Sequence, residues 1–177
     1  NYRGIVPGKT SRASLHEQWG EPEKVHRIPG GVRETHPSDA FDYVRVTVIE
    51  DVVDSLALKL RESKPVDDIA ERLEIAEIES VDVYNDVGQW LGLAYPERGI
   101  LLIFDPQTEQ PRVTEIVIEP ISAEPFLARA EVRLNGRFAA CLADVQQAKQ
   151  LAPELSRCHA LESEVLRRIG EFERSIE

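Results

Sequence analysis

Apolar and polar residues alternate along much of the first 120 positions, and the alternation stops after Pro120. The alternating part opens on a helix capped by Thr10 or Ser11 and running to about Trp19. Leu15 and Trp19, four apart, share one face, and Gly20 and Pro22 end the segment. Lys24 to Ile28 reads as a short extended piece, and Pro29-Gly30-Gly31 as a turn. From Phe41 to Ile49, Val44, Val46 and Val48 point one way and Tyr43, Arg45 and Thr47 the other, the period of a half-buried strand. Glu50-Asp51 turns the chain, and Leu56, Leu58 and Leu60 continue the alternation on a return strand.

Pro65 opens a second helix, with Asp67 and Asp68 in its first turn and Ile69 and Leu73 facing inward. Extended segments follow at Val81 to Tyr84, Gln89 to Ala94, Ile100 to Phe104 and Val113 to Glu119. Turns lie at Asn85 to Gly88 and Pro96 to Gly99, and a loop spans Asp105 to Pro111. One plan is used twice. Leu15 and Trp19 fall against Ile69 and Leu73 at a spacing of 54, and Val53, Leu56 and Leu58 against Val113, Ile116 and Ile118 at 60. Each half reads as a helix and a meander of about three strands. Two such halves can bury one sheet face jointly.

After Ser122 the chain is rich in Ala, Leu, Arg and Glu, without alternation. Helices are expected around Phe126 to Leu134, from Ala139 to Leu151, and from Pro153 to about Ile169, with Gly170 as a stop and a fourth helix beyond. The expected fold class is therefore α+β. An antiparallel sheet from two helix-plus-meander units (1–62 and 63–121) precedes an all-α segment (122–177).

Charge narrows the possible roles. The net charge is −11, of which residues 1–121 carry −10. No basic stripe is present, so neither a nucleic-acid backbone nor an anionic membrane surface is an expected partner. No run approaches ~20 apolar residues, so no membrane span is expected. Cys141 and Cys158, the two cysteines, are too few for a four-ligand zinc site. Buried thiols are the default reading, and a disulfide between adjacent helices is the alternative. His16, His26 and His36 are ten apart, a spacing that fits no helical or strand period, and no metal or cofactor is expected. Gly4 to Thr10 has three residues between its glycines where a phosphate-binding loop needs four. Acidic pairs such as Asp67-Asp68 sit at helix starts and turns, where carboxylates are favoured locally. No catalytic residue is expected.

Two resemblances add to this. Gly136-Arg137-Phe138 recurs as Gly170-Glu171-Phe172 after 34 residues, with Pro153 and Ala148 between them. This resembles the tetratricopeptide repeat, although Pro125 and Arg129 occupy places where that family has an aromatic residue and a glycine. The resemblance implies further repeats beyond Glu177 and a concave groove that reads a protein or peptide partner. It assigns to that groove Phe126, Ala130 and Arg133 of one repeat, and Arg157, Ala160, Glu164 and Arg167 of the next. Gly4-Ile5, then Pro7-Gly8-Lys9-Thr10-Ser11, a short helix and Trp19-Gly20-Glu21-Pro22 resemble the opening of the small outer-membrane lipoprotein (SmpA/OmlA) domain. That family shares its fold with the tandem β-lactamase inhibitor proteins. This second resemblance implies a bacterial periplasmic or outer-membrane location, with the cytoplasm as alternative, and a protein-binding role.

Trp90 and Tyr43 are candidates for an exposed contact surface, and a core position for Trp90 is the competing reading. The function expected is a non-catalytic interaction module or scaffold. The alternatives are an inhibitor or accessory subunit that occludes another protein's site and, after it, an enzyme or small-ligand protein.

Overall fold

The computed structural model describes residues 1–106, 108 and 110–176. The chain divides into two compact units, 1–120 and 121–177.

The first unit is one eight-stranded antiparallel sheet with two short helices. Helix α1 (Arg12–Trp19) is capped by Ser11, whose Oγ accepts the Ser14 amide at 3.2 Å. It leads into a meander of β1 (Lys24–Ile28), β2 (Gly31–His36), β3 (Tyr43–Ile49) and β4 (Val52–Pro65). Helix α2 (Val66–Arg72) leads into β5 (Val81–Tyr84), β6 (Trp90–Tyr95), β7 (Ile100–Phe104) and β8 (Arg112–Ile118). The strand order is β1-β2-β3-β4-β8-β7-β6-β5. The two meanders meet where Leu56 pairs with Ile118, Ala57 with Val117 and Leu58 with Ile116.

One sheet face is covered. Val44, Val46, Val48, Leu56, Leu58, Leu102, Phe104, Val113 and Ile116 pack with Leu15 of α1, Ile69 and Ala70 of α2 and the leading residue Ile5. Ile118 is partly buried against them. The segment before α1 has its polar groups engaged. The Gly8 amide donates to the Val53 carbonyl at 2.7 Å and the Val6 amide to Thr10 Oγ1 at 2.9 Å. Two glycines are demanded by close backbone approach. A Cβ on Gly31 would lie 1.9 Å from the Val48 carbonyl oxygen, and one on Gly92 1.8 Å from that of Leu102.

The described residues of the second unit form three helices: α3 (Ala123–Arg133), α4 (Phe138–Leu151) and α5 (Ser156–Ile176). Phe126, Leu127, Ala130, Cys141, Val145, Ala148, Cys158, Leu161 and Val165 form its core. Both cysteines are free and buried.

These elements correct the expected fold class. The described residues form a single eight-stranded antiparallel sheet with five α-helices, and the helical part is not a repeat array. The first meander has four strands rather than three, because Gly31–His36 is a strand, and the second also has four. The glycine recurrence fails as a repeat signal. Gly136 has φ +127° in a turn, whereas Gly170 lies inside α5, which runs on without a stop. A helix interior tolerates glycine at about 1 kcal/mol, less than a long amphipathic helix recovers by packing. The loop expected from Asp105 to Pro111 includes Gln107 and Glu109, and the chain end includes Glu177, which lie outside the described residues.

Candidate functional site

Strands β5 and β6 form the hairpin at one end of the sheet. Its five-residue connection is tightly braced. The Asn85 side-chain oxygen accepts the amides of Val87 at 3.1 Å and Gln89 at 2.8 Å, and its amide nitrogen donates to Gln89 Oε1 at 2.9 Å. Gly88, at φ +76°, donates its N–H back to the Asn85 carbonyl. This is the Asx-turn chemistry for which asparagine is favoured in turns.

Three apolar residues toward the tip of this hairpin face solvent. Tyr84 is paired in register with Trp90, and they are 57% and 43% exposed; Val87 at the tip is 79% exposed. Trp90 is fixed from two sides. Its ring stands edge-on to Phe104 at 4.8 Å, and its indole N–H donates to Asp82 Oδ1 at 2.9 Å. Trp90 is thus neither a core residue nor a loose surface one. It is an anchored ring with an open side, beside the exposed carboxylates Asp82 and Asp86.

Tyr43 belongs elsewhere. Its strand β3 is separated from β6 by β4, β8 and β7, so the two aromatics form no common patch. The Tyr43 hydroxyl accepts a 2.6 Å hydrogen bond from Arg45, whose guanidinium also lies 5.2 Å from the tyrosine ring centre.

The helical residues assigned to a groove are placed differently from that expectation. Phe126 and Ala130 are buried in the core of the second unit. Arg133 is directed at Asp144, 2.6 Å from Oδ2. Arg157 lies on the surface between Glu124 at 2.6 Å and Glu131 at 2.8 Å. Arg167 and Arg168 both pair with Glu164, and their hydrogen bonds hold its carboxyl down to about 2. Ala160 is exposed. These cations therefore carry carboxylates of their own.

One cluster escaped the sequence reading. Glu34 of β2 is fully buried on the covered side of the sheet. Arg12 of α1 donates to its Oε1 through Nε at 2.8 Å and Nη2 at 2.7 Å, and His16 Nε2 lies 2.9 Å from its Oε2. Burial works against the Glu34 anion, but the hydrogen bonds from His16 and Arg12 outweigh it and keep the carboxyl below its ordinary value. His36, two residues on, is also buried. Its Nε2 lies 3.6 Å from Glu34 Oε2, and neither ring nitrogen has a hydrogen-bond partner. Burial pushes its pKa down, against the pull of Glu34. The usable signal was Glu34 and His36 at alternate positions, matched by Arg12 and His16 one helical turn apart. Among the described residues no group of histidine, cysteine and carboxylate side chains has the geometry to hold a metal ion.

No known protein family matches the chain, and no curated protein is similar to it in sequence. Among solved structures it is similar to an extracellular protein containing an SCP domain from Bacillus anthracis. The identity is 14%, with 85% of this chain and 62% of that one covered, at a TM-score of 0.42. It is also similar to a cysteine-rich secretory protein from Staphylococcus aureus, at 12% identity, 64% and 43% coverage, and a TM-score of 0.40. The chain thus spans less than two thirds of either. These findings correct both expected resemblances. These two solved structures are an SCP-domain protein and a cysteine-rich secretory protein, not members of the tetratricopeptide-repeat family or of the outer-membrane lipoprotein and β-lactamase-inhibitor group. Likeness at this level assigns no function. Among the described residues, no helix is long and apolar enough to cross a membrane.

Proposed function

We propose that the protein is a non-catalytic binding module whose contact surface is the β5–β6 hairpin. The observation that carries this reading is the exposed Tyr84–Trp90 pair with Val87, held on a turn braced by Asn85. Aromatic side chains dominate the energetics of protein contacts, and a surface already fixed in shape loses little entropy on binding. The flanking carboxylates Asp82 and Asp86 specify the partner's chemistry: a folded protein with an apolar cleft bordered by lysine or arginine. A scaffold role and the occlusion of another protein's site both use this tip. Occlusion is distinguished by loss of the partner's activity when the module binds.

We place this role outside the cytoplasm, in the periplasm or at the outer membrane of a bacterium. Fractionation of the native cells tests that placement, and recovery of the protein with cytoplasmic markers rejects it. The binding role is tested by capture from the native compartment with the wild-type chain and with Val87→Asp, a change at an exposed position that leaves the core intact. Loss of the same captured protein in Val87→Asp and in Tyr84→Ala, with thermal unfolding unchanged, is the expected result. Undiminished capture by both variants rejects the hairpin as the contact surface.

A further inference from the structure

The β4–β8 pairing is interrupted in a way that opens the covered side of the sheet. Lys59 pairs with Glu115, and pairing resumes only at Lys64 with Val113. Four residues of β4 therefore stand opposite the single residue Thr114. An irregularity of this kind bends the strand and frees its side chains from the ladder. Beside it, next to α2, lies a groove of about 540 Å³. Leu60, Ile69, Leu73 and Ile116 make it apolar, and Phe41 lines it as well.

The charges lining this groove have the opposite sign to the chain as a whole, which carries −11. Arg61, Lys64 and Arg72 line it, against the single carboxylate Glu62. Arg61 is held by main-chain carbonyls, donating to Phe41 at 3.3 Å and to Ser38 at 3.2 Å, so its charge is oriented without being neutralised. Among the described residues Lys64 pairs with the solvent-exposed Glu62 alone, at 3.6 Å. Arg72 is exposed and, among the described residues, has no ion-pair partner.

We infer that this groove binds a single-chain amphiphile with a carboxylate head, its alkyl chain along Leu60, Leu73 and Ile116 and its head between Arg61, Lys64 and Arg72. The volume lies in the range of small-ligand sites, which are mainly apolar with a few fixed polar groups. Guanidinium groups are the donors best matched in shape to a carboxylate. This inference is independent of the hairpin and uses none of its residues.

Calorimetric titration of the whole chain with decanoate, below its micelle concentration, tests it. Saturable one-to-one binding is expected, with decyltrimethylammonium bound at least tenfold more weakly. Lys64→Glu with Arg72→Glu should weaken decanoate binding at least tenfold. Ala40→Trp, at an exposed position lining the groove, should abolish it, with thermal unfolding unchanged in each variant. Equal binding of the cationic amphiphile overturns the proposal, as does decanoate binding that survives both variants. Absence of decanoate binding also overturns it, whether or not the chain adheres to phosphatidylglycerol vesicles.

Discussion

Among the described residues each unit of this protein buries one carboxylate, and the two are served by different chemistry. Asp144 in the helical unit is held by Arg129 at 2.8 Å and Arg133 at 2.6 Å, all three largely buried. Glu34 in the sheet unit is held by one arginine and one histidine, with a second histidine, His36, 3.6 Å from it and without a hydrogen bond. Guanidinium stays charged at any physiological pH, whereas histidine changes charge between about pH 5 and 8. The helical cluster is therefore a fixed electrostatic brace, whereas in the sheet cluster the depressed pKa values of His36 and Glu34 make stability depend on pH. Burial of a carboxylate alone does not decide between these; the identity of its partners does.

The largest effect should come from breaking the fixed brace. Asp144→Asn removes the carboxylate that Arg129 and Arg133 share and should cost the helical unit about 3–5 kcal/mol, read by denaturant unfolding. Replacing all three residues by apolar ones of similar volume should recover most of that loss. Glu34→Gln should cost less, about 1–3 kcal/mol, because Arg12 and His16 are partly exposed and can turn to water.

The third expectation concerns acidity. His36 has its pKa depressed below the ordinary 6.5 in the folded state, so the unfolded chain takes up this proton first as pH falls. Stability of the sheet unit should decline below about pH 6.5, by up to about 1.4 kcal/mol per pH unit, until the folded-state pKa is reached. Glu34, depressed below 4.5, adds a second decline in the same direction below that value. His36→Leu should remove the first decline and leave the second, as measured by thermal unfolding from pH 8 to 4. An equal decline in wild type and variant would show that His36 is not its source. The smallest effect is expected at Glu164, a partly exposed surface acid: Glu164→Gln should leave the melting temperature unchanged within error.

This comparison also explains what could be read from the sequence and what could not. The alternation in Tyr43–Ile49 and in the first part of Val52–Pro65 is visible because valine and leucine fill the inward positions. The strand Gly31–His36 is hidden because its buried positions are Glu34 and His36. Periodicity detects a strand through the apolar character of its inner face, and here that face carries Glu34, held by Arg12 and His16 of α1, and the buried His36. No sequence period connects His16 with His36, since a helix laid across a sheet brings them together. Trp90 was visible as a candidate by residue type. Its register partner Tyr84 was not, because a bulge between Val83 and Tyr84 sets the pairing. In the helical unit, Phe126, Ala130 and Arg133 were assigned outward from a repeat pattern. Their burial follows from three helices packing on one another, with Arg133 drawn to Asp144.

The central claim, that the protein acts through its β5–β6 hairpin, is tested most directly by photo-crosslinking at two exposed valines. Val87 is at the hairpin tip, and Val132 is in α3 of the helical unit, 71% exposed. With p-benzoylphenylalanine in place of Val87, irradiation in the native compartment should give one discrete crosslinked protein that is absent when the probe replaces Val132. No discrete product from position 87, or the same product from both positions, would contradict the account.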